Sequence, residues 1–365
     1  MPETTTGRPP AQRRQIVESL RNRIVCGGLK PGDRLPSRRE IALDAQVSPV
    51  TADEALRRLA RQGFVETRGT AGRFVAPNLP HVCHFGVVFP ELGHARSQFF
   101  SMLEQAAGLI TSDDSPRRLR LYRGVTPHRD NEDNRRLQMH VRRRVLAGLV
   151  FTWPNLSPQG LDEITTGDVP RAILATGQYR PGVPAIYPDL QAWFDRAIDH
   201  AGPAPRRVAS LQLPDPGSNL DQLEMLERAV RSRGHQTRPH WTQFAVGGGW
   251  HSTRNAAHAV QLLLSLPQHE RPNVLLVSDD SLVAGALRGL QECDPDRRRD
   301  LQVVCHWNWP APLPETDLPV AWLGFDAREV LEVSLKALEP QRHDRPSAGV
   351  HWIPPRFENE QSEHL

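Results

Sequence analysis

The sequence is short of lysine, of cysteine and of long apolar runs, and each shortage closes off a class of function. Among 45 basic residues in a chain of 365, lysine occurs only as Lys30 and Lys336. Pyridoxal-phosphate chemistry needs a lysine placed to form a Schiff base. Lys30 falls in a turn and Lys336 in a predicted surface helix near the end, so that chemistry is not expected. Four cysteines (Cys26, Cys83, Cys293, Cys305) are scattered without C-x-x-C spacing, which indicates neither a disulfide framework nor a zinc ribbon. His81, Cys83 and His84 lie close together, as do Cys305 and His306, but no fourth ligand follows at a metal-binding spacing. No metal and no cofactor is expected. The start, "MPETTTGRPPAQRR", has no apolar segment of the kind a secretory signal needs, and no uncharged run is long enough to cross a bilayer. A cytoplasmic location is expected. The glycine run in "AVGGGWHST" lacks the G-K-[ST] ending of a phosphate loop and the spacing of a dinucleotide site, and there is no G-x-S-x-G elbow. No enzyme chemistry is expected.

Charge is present but uneven. Residues 1–80 hold 14 basic against 8 acidic residues, and the remainder 31 against 34. A basic head on a slightly acidic body fits a nucleic-acid-binding module joined to something else, and equally an ordinary solvated surface.

In the head, Ile16, Leu20 and Ile24 recur at four-residue spacing before Gly27 and Gly28, which predicts a first helix. Ser37-Arg38-Arg39-Glu40 is a capping box that starts a second helix, running to about Ala45. Ser48 followed by Pro49 is an N-cap with proline at the first helical position, opening a third helix that stops at Gly63. Two short β-prone runs, "FVETR" and "RFVA", flank Gly69-Thr70-Ala71-Gly72 and predict a hairpin wing. Three helices and a hairpin make a winged helix-turn-helix, whose third helix enters the major groove.

"LKPGDRLPSRREIA", "VS..T..EALRRLARQGFVE" and "GRFVA" resemble the GntR-family DNA-binding domain over about residues 12–76. The resemblance implies that Arg38 and Arg39 contact phosphate or base edges, that Ser48, Val50 and Thr51 contact DNA from the third helix, and that Arg68, Gly69, Thr70, Gly72 and Arg73 form the DNA-touching wing. Pro49 and Asp53 stand where the family usually carries arginine. Pro49 is explained by helix initiation. Asp53 is expected to accept from a cytosine amino group, with positive charge supplied by Arg38, Arg39, Arg68 and Arg73.

From Cys83 onward, apolar runs ("HFGVVFP", "RLRLYRG", "AGLVFTW", "PRAILAT", then "RRVASLQL", "TQFAV", "PNVLLVSDD", "LQVVCHWNW") alternate with helical stretches. That rhythm predicts two α/β halves with parallel sheets and a ligand cleft at the strand carboxyl ends. The order resembles the LacI-type effector domain, a relative of periplasmic sugar-binding proteins, over residues 83–357, with "SDDSLVAGAL" its sharpest segment. The expected domain plan is a disordered tail (1–10), the winged helix-turn-helix (11–78), a linker (79–82), the effector-binding and dimerisation domain (83–357) and a tail (358–365). Within the body, the first half takes 83–187 and 307–340, and the second 188–306 and 345–357. A GntR-type head on a LacI-type body is similar to the arabinose-responsive repressors.

That resemblance implies a homodimer that binds a double-stranded operator and releases it when a small effector, expected to be a sugar, closes the cleft. Asp280 matches an aspartate that receives sugar hydroxyls, with Asp279 beside it, and Asp189 matches one at the crossover between halves. Trp153, Trp307 and Trp309 follow strands directly and suit either ligand stacking or core packing. Gln222 stands where relatives carry an arginine that clamps hydroxyls, a departure that weakens the sugar expectation. With Pro49 and Asp53, it leaves a second reading open: a diverged ligand-binding or protein-interaction module that has lost specific DNA binding.

Overall fold

A computed structural model describes residues 9–360 other than 91–97, 113–115, 128–129, 153–159, 161, 163, 166–168, 175–182, 214–218, 246–249 and 344–348. Helix α1 (Pro9–Val25) turns Ile16, Val17, Leu20 and Ile24 inward on one stripe, all of them buried. Helix α2 (Arg38–Asp44) begins at the capping box: Ser37 N donates to Glu40 Oε2 at 2.6 Å and Glu40 N to Ser37 Oγ at 3.3 Å. Gln46 then takes a left-handed conformation (φ 51°), which compresses the turn into α3 (Pro49–Arg61). Ser48 Oγ caps α3 by accepting from Thr51 N at 3.1 Å, and Ala52, Ala55, Leu56 and Leu59 are buried on its inner face. Strands β1 (Val65–Thr67) and β2 (Arg73–Val75) pair antiparallel as the wing, joined through a turn with Gly69 and Gly72 at positive φ. The connector before α2 joins them: Arg34 bridges Phe74, and Leu35 N donates to the Arg73 carbonyl at 2.9 Å.

Residues 79–82, expected as a plain linker, are instead largely helical. Leu79 is buried with the head's core, α4 (Pro80–Cys83) follows, and the His81 ring stacks 5.8 Å from Phe64. Burial of Leu79 and Pro80 removes the solvated freedom a linker would need.

Two six-stranded sheets make the body. The first runs β13-β7-β6-β5-β3-β4 and is parallel throughout: β3 (His84–Val88), β4 (Arg118–Tyr122), β5 (Gly148–Phe151), β6 (Arg171–Leu174), β7 (Ala185–Pro188) and β13 (Val350–Ile353). The second runs β14-β12-β11-β10-β8-β9, with β8 (Val208–Gln212), β9 (Thr242–Phe244), β10 (Val274–Val277), β11 (Gln302–His306), β12 (Val320–Gly324) and the antiparallel β14 (Arg356–Phe357). Crossover helices cover the faces: α5 (Gln98–Ser112), α6 (Glu132–Arg142), α7 (Leu190–His200), α8 (Asn219–Ser232), α9 (Trp250–Ser265), α10 (Asp280–Glu292), the short α11 (Pro295–Arg298) and α12 (Ala327–Leu338). The fold is therefore α/β, a winged helix-turn-helix followed by two parallel-sheet halves. Among the described residues no helix is long and apolar enough to cross a membrane.

The division of the body differs from the expected one. Segment 307–340 does not return whole to the first half, because β12 pairs in parallel with β11 (Val303↔Val320) and only α12 packs on the first sheet. The terminal segment also splits: β13 lies beside β7 (Val350↔Ala185), and β14 crosses back to β12. The chain thus changes sheet three times, after β7, after β12 and between β13 and β14. The expected tail begins with Glu358–Glu360 as a single turn, held where Arg196 donates to Glu360 Oε2 at 2.7 Å.

Helix α10 is set close to α9. A Cβ on Gly289 would stand 2.6 Å from the Ala257 carbonyl oxygen, and one on Gly285 would collide with that of Thr253. Glycine at these positions lets the two backbones touch, which fixes where the start of α10 points.

Candidate nucleic-acid interface and ligand cleft

The α2–α3 corner presents its polar residues outward. Arg38 and Arg39 are exposed at the start of α2, and neither forms an ion pair among the described residues. Ser48 Oγ and Thr51 Oγ1 lie 2.9 Å apart at the start of α3, beside Val50, which is 68% exposed. An exposed valine flanked by hydroxyls suits a groove floor, where an alkyl group can meet a thymine methyl.

Asp53 departs from its expected role. Its Oδ1 accepts from Arg73 Nη2 at 2.8 Å and its Oδ2 from Arg57 Nε at 2.9 Å, with the Asp53 side chain only 15% exposed. Each carboxylate oxygen already accepts from an arginine, so Asp53 ties the wing to α3. Arg73 is correspondingly neutralised. Arg68 lies across the wing, bonded to Glu66 at 2.6 Å and 4.6 Å above the Phe74 ring. Thr70, between Gly69 and Gly72 in the wing turn, is exposed. Arg34, unmarked in the sequence reading, brings its Nε within 3.4 Å of where a Gly72 Cβ would stand. Its bridge to Phe74 puts it on the wing, and only the paired backbone reveals this.

In the body, Asp280 opens α10 at the carboxyl edge of the second sheet and is 6% exposed. Asn308 Nδ2 donates to its Oδ2 at 2.6 Å, and the backbone N–H of Phe99, at the start of α5 in the first half, is near enough to favour its charged form slightly. Asp280 therefore lies where the two halves meet, at the start of the helix that packs against α5. Burial, followed by the nearby Asp279 charge, pushes its pKa up to about 6. His306 Nε2 lies 3.1 Å from Asn308 Oδ1, and its ring stacks 5.7 Å from Trp193. Among the described residues, four buried polar atoms in this region have no hydrogen-bond partner: Gln212 Oε1, Asp280 Oδ1, His306 Nδ1 and Trp309 Nε1. Such an arrangement fits a ligand carrying both donors and acceptors.

The remaining candidates divide. Trp309 is buried, and its indole N–H meets no acceptor among the described residues. The Trp307 indole packs 5.5 Å from Trp322 and its Nε1 donates to the Ala311 carbonyl at 3.1 Å, so its N–H is spent within the core. Asp189 caps α7 by accepting from Ala192 N at 2.9 Å, and Asp279 caps α10 by accepting from Ser281 N at 2.9 Å. Both spend acceptor capacity on helix starts. Gln222 is half-buried in the first turns of α8. Trp153 lies outside the described residues.

Residues 12–75 match the model of the bacterial regulatory proteins of the gntR family. The body aligns with a LacI-family regulatory protein of Chloroflexus aggregans (15% identity, TM-score 0.56, 76% of this chain and 97% of that one). The chain joins a GntR-family head to a LacI-type fold. The Escherichia coli repressor AscG gives the same TM-score, 0.56, at 16% identity, covering 76% of this chain and 97% of that one. Cra of Pseudomonas putida, in complex with fructose 1-phosphate, gives 0.53 at 17% identity over 75% of this chain and 97% of that one. Among curated relatives, the uncharacterised regulator YhcF of Bacillus subtilis is 42% identical over 62 residues, 17% of this chain and 51% of its own. The repressor YtrA of the same organism is 36% identical over 64 residues, 18% of this chain and 49% of its own. The chain thus spans about half the length of these curated relatives.

Within the LacI-type body, the sequence reading missed Asn308, His306 and Gln212. A signal was present: His306 and Asn308 alternate with tryptophans in "CHWNW", so two polar groups share one face of an otherwise apolar strand end.

Proposed function

We propose that this protein is a sequence-specific DNA-binding transcription regulator, acting as a repressor, whose hold on an operator is set by a small ligand in the body's cleft. The exposed corner of α2 and α3, with Arg38, Arg39, Ser48, Val50 and Thr51 together and no acidic partner taking the two arginines among the described residues, carries this reading. Cations there meet phosphate, while the hydroxyls and Val50 meet base edges. Function as a homodimer in the cytoplasm, without catalysis, belongs to the same proposal. The two heads would address half-sites roughly 34 Å apart or a multiple of that.

For the ligand, a neutral polyol such as a sugar fits best. Asp280 and Gln212 Oε1 accept hydroxyl protons, Trp309 Nε1 donates, and the carboxylates Asp279 and Asp280 disfavour an anionic group. Because Asp280 lies where α10 of the second half meets α5 of the first, a ligand there exchanges its contact with Asn308 for one of its own and biases closure.

Two experiments test this. Arg39→Ala should weaken binding to a selected operator by about tenfold, as expected for losing one charge-assisted contact; unchanged affinity would remove Arg39 from the interface. A thermal-shift screen of monosaccharides should find a compound that stabilises the wild type and not Asp280→Ala. Equal stabilisation of both would refute the role of Asp280. The competing reading, a head without specific binding, draws on the pairing of Arg73 with Asp53 and Arg68 with Glu66. It predicts equal affinity for any duplex.

A further inference from the structure

Where the head meets the body, five arginines gather around one carboxylate. Arg13, Arg14 and Arg21 of α1, Arg58 of α3 and Arg143 at the end of α6 line a groove of about 550 Å³, and Glu18 is the acid among them. The junction is built rather than incidental. Arg144 takes a left-handed conformation (φ 49°), and Val145, next in the chain, is buried in the head's own core cluster. A backbone of this kind at a non-glycine residue is held by its surroundings, here the packing of Val145.

The protein answers the positive charge only in part, through Glu54 on Arg13 and Glu18 near Arg21. Arg13 pairs with Glu54, but Arg14, Arg58 and Arg143 form no ion pair among the described residues. Arg21 is 6% exposed; its Nη2 donates to Gln62 Oε1 at 2.9 Å, while its Nε is buried with no acceptor. Arg13 Nε is buried and unmet as well. Burial and mutual repulsion hold Arg21 and Arg143 below the ordinary arginine value, Arg143 and, against Glu18, Arg58 acting on Arg21, and Arg58 acting on Arg143. Guanidiniums that repel one another around unmet donors are what an oxyanion would relieve.

We propose that this head–body groove binds a small phosphate-class oxyanion, free phosphate or a phosphomonoester, through Arg21, Arg58 and Arg143. Duplex DNA is the other phosphate source, and the placement disfavours it. Arg58 lies ten residues along α3 from the Ser48 cap, about 15 Å away along the helix axis, and the body walls the groove through Arg143. An anion there touches both units and so couples the head's attachment to the supply of a phosphorylated compound. The cleft ligand plays no part in this, so the site stands or falls independently of the regulator reading.

The test is calorimetric titration of the full chain with inorganic phosphate and pyrophosphate in chloride buffer, for the wild type, Arg58→Ala and Arg143→Ala. Both variants leave the buried Arg21 in place, and thermal melts confirm that they fold. The expected result is saturable binding by the wild type, weakened about tenfold in each variant and only partly restored by Arg143→Lys. No heat from the wild type up to about 10 mM phosphate, or equal affinity in the variants, would overturn the proposal. In parallel, the salt dependence of binding to a random duplex should be the same in wild type and Arg143→Ala. A slope lower by about 1 in the variant would assign the groove to the DNA backbone and overturn it too.

Discussion

Replacing Asp280 by asparagine should make the protein more stable above pH 6, by an amount the buried carboxyl dictates. In the folded chain this group titrates near about 6, against an ordinary 3.8, chiefly because burial penalises its charge. The shift of roughly two pH units corresponds to about 3 kcal/mol. Between those two values the folded state binds the proton and the unfolded state does not, so wild-type stability falls as pH rises through that window and levels off above it. Asparagine has no such titration, and its carbonyl can still accept from Asn308 Nδ2. The stability difference, variant minus wild type, should therefore grow by about 2–3 kcal/mol from pH 4 to pH 7. Urea unfolding followed by tryptophan fluorescence at half-unit pH steps measures it. A pH-independent difference would mean that Asp280 stays an ordinary carboxylate, and the account of a desolvated acid would fail.

Three further outcomes follow from neighbouring contacts. Asn308→Ala removes a hydrogen bond that favours the Asp280 carboxylate, so the midpoint of that same pH-dependent difference should move to higher pH; a fall would contradict the assigned donor. Asp53→Ala should release Arg73 and Arg57 and destabilise the head by about 1 kcal/mol in chemical denaturation, and wild-type stability would show that the latch is idle. Ser48→Ala should cost about 0.5–2 kcal/mol through loss of the α3 cap, read in the same assay, and a neutral result would contradict the cap.

Local signals in the sequence carried far in the head and less far in the body. The Ser37 box and the Ser48-Pro49 start are written in adjacent residues, and both helices begin where those residues require. The pairing of Asp53 with Arg73 spans 20 positions and exists only because the wing folds back on α3, so no local pattern announces it. Similarly, "VAWLG" declares a buried strand by its composition but not which sheet it joins; pairing with β11 decides that. Trp307 and Trp309 look alike in sequence, two residues apart at a strand end. One donates its N–H to a carbonyl, the other finds no acceptor among the described residues, and both are buried.

The central claim is that the chain distinguishes one DNA sequence from others. Fluorescence anisotropy of the full chain against duplexes from the region upstream of its own coding sequence, beside scrambled duplexes of the same composition, tests it directly at physiological salt. The account predicts a complex at least about a thousandfold tighter on one upstream duplex than on its scramble. Equal, weak, salt-sensitive binding to every duplex would contradict it.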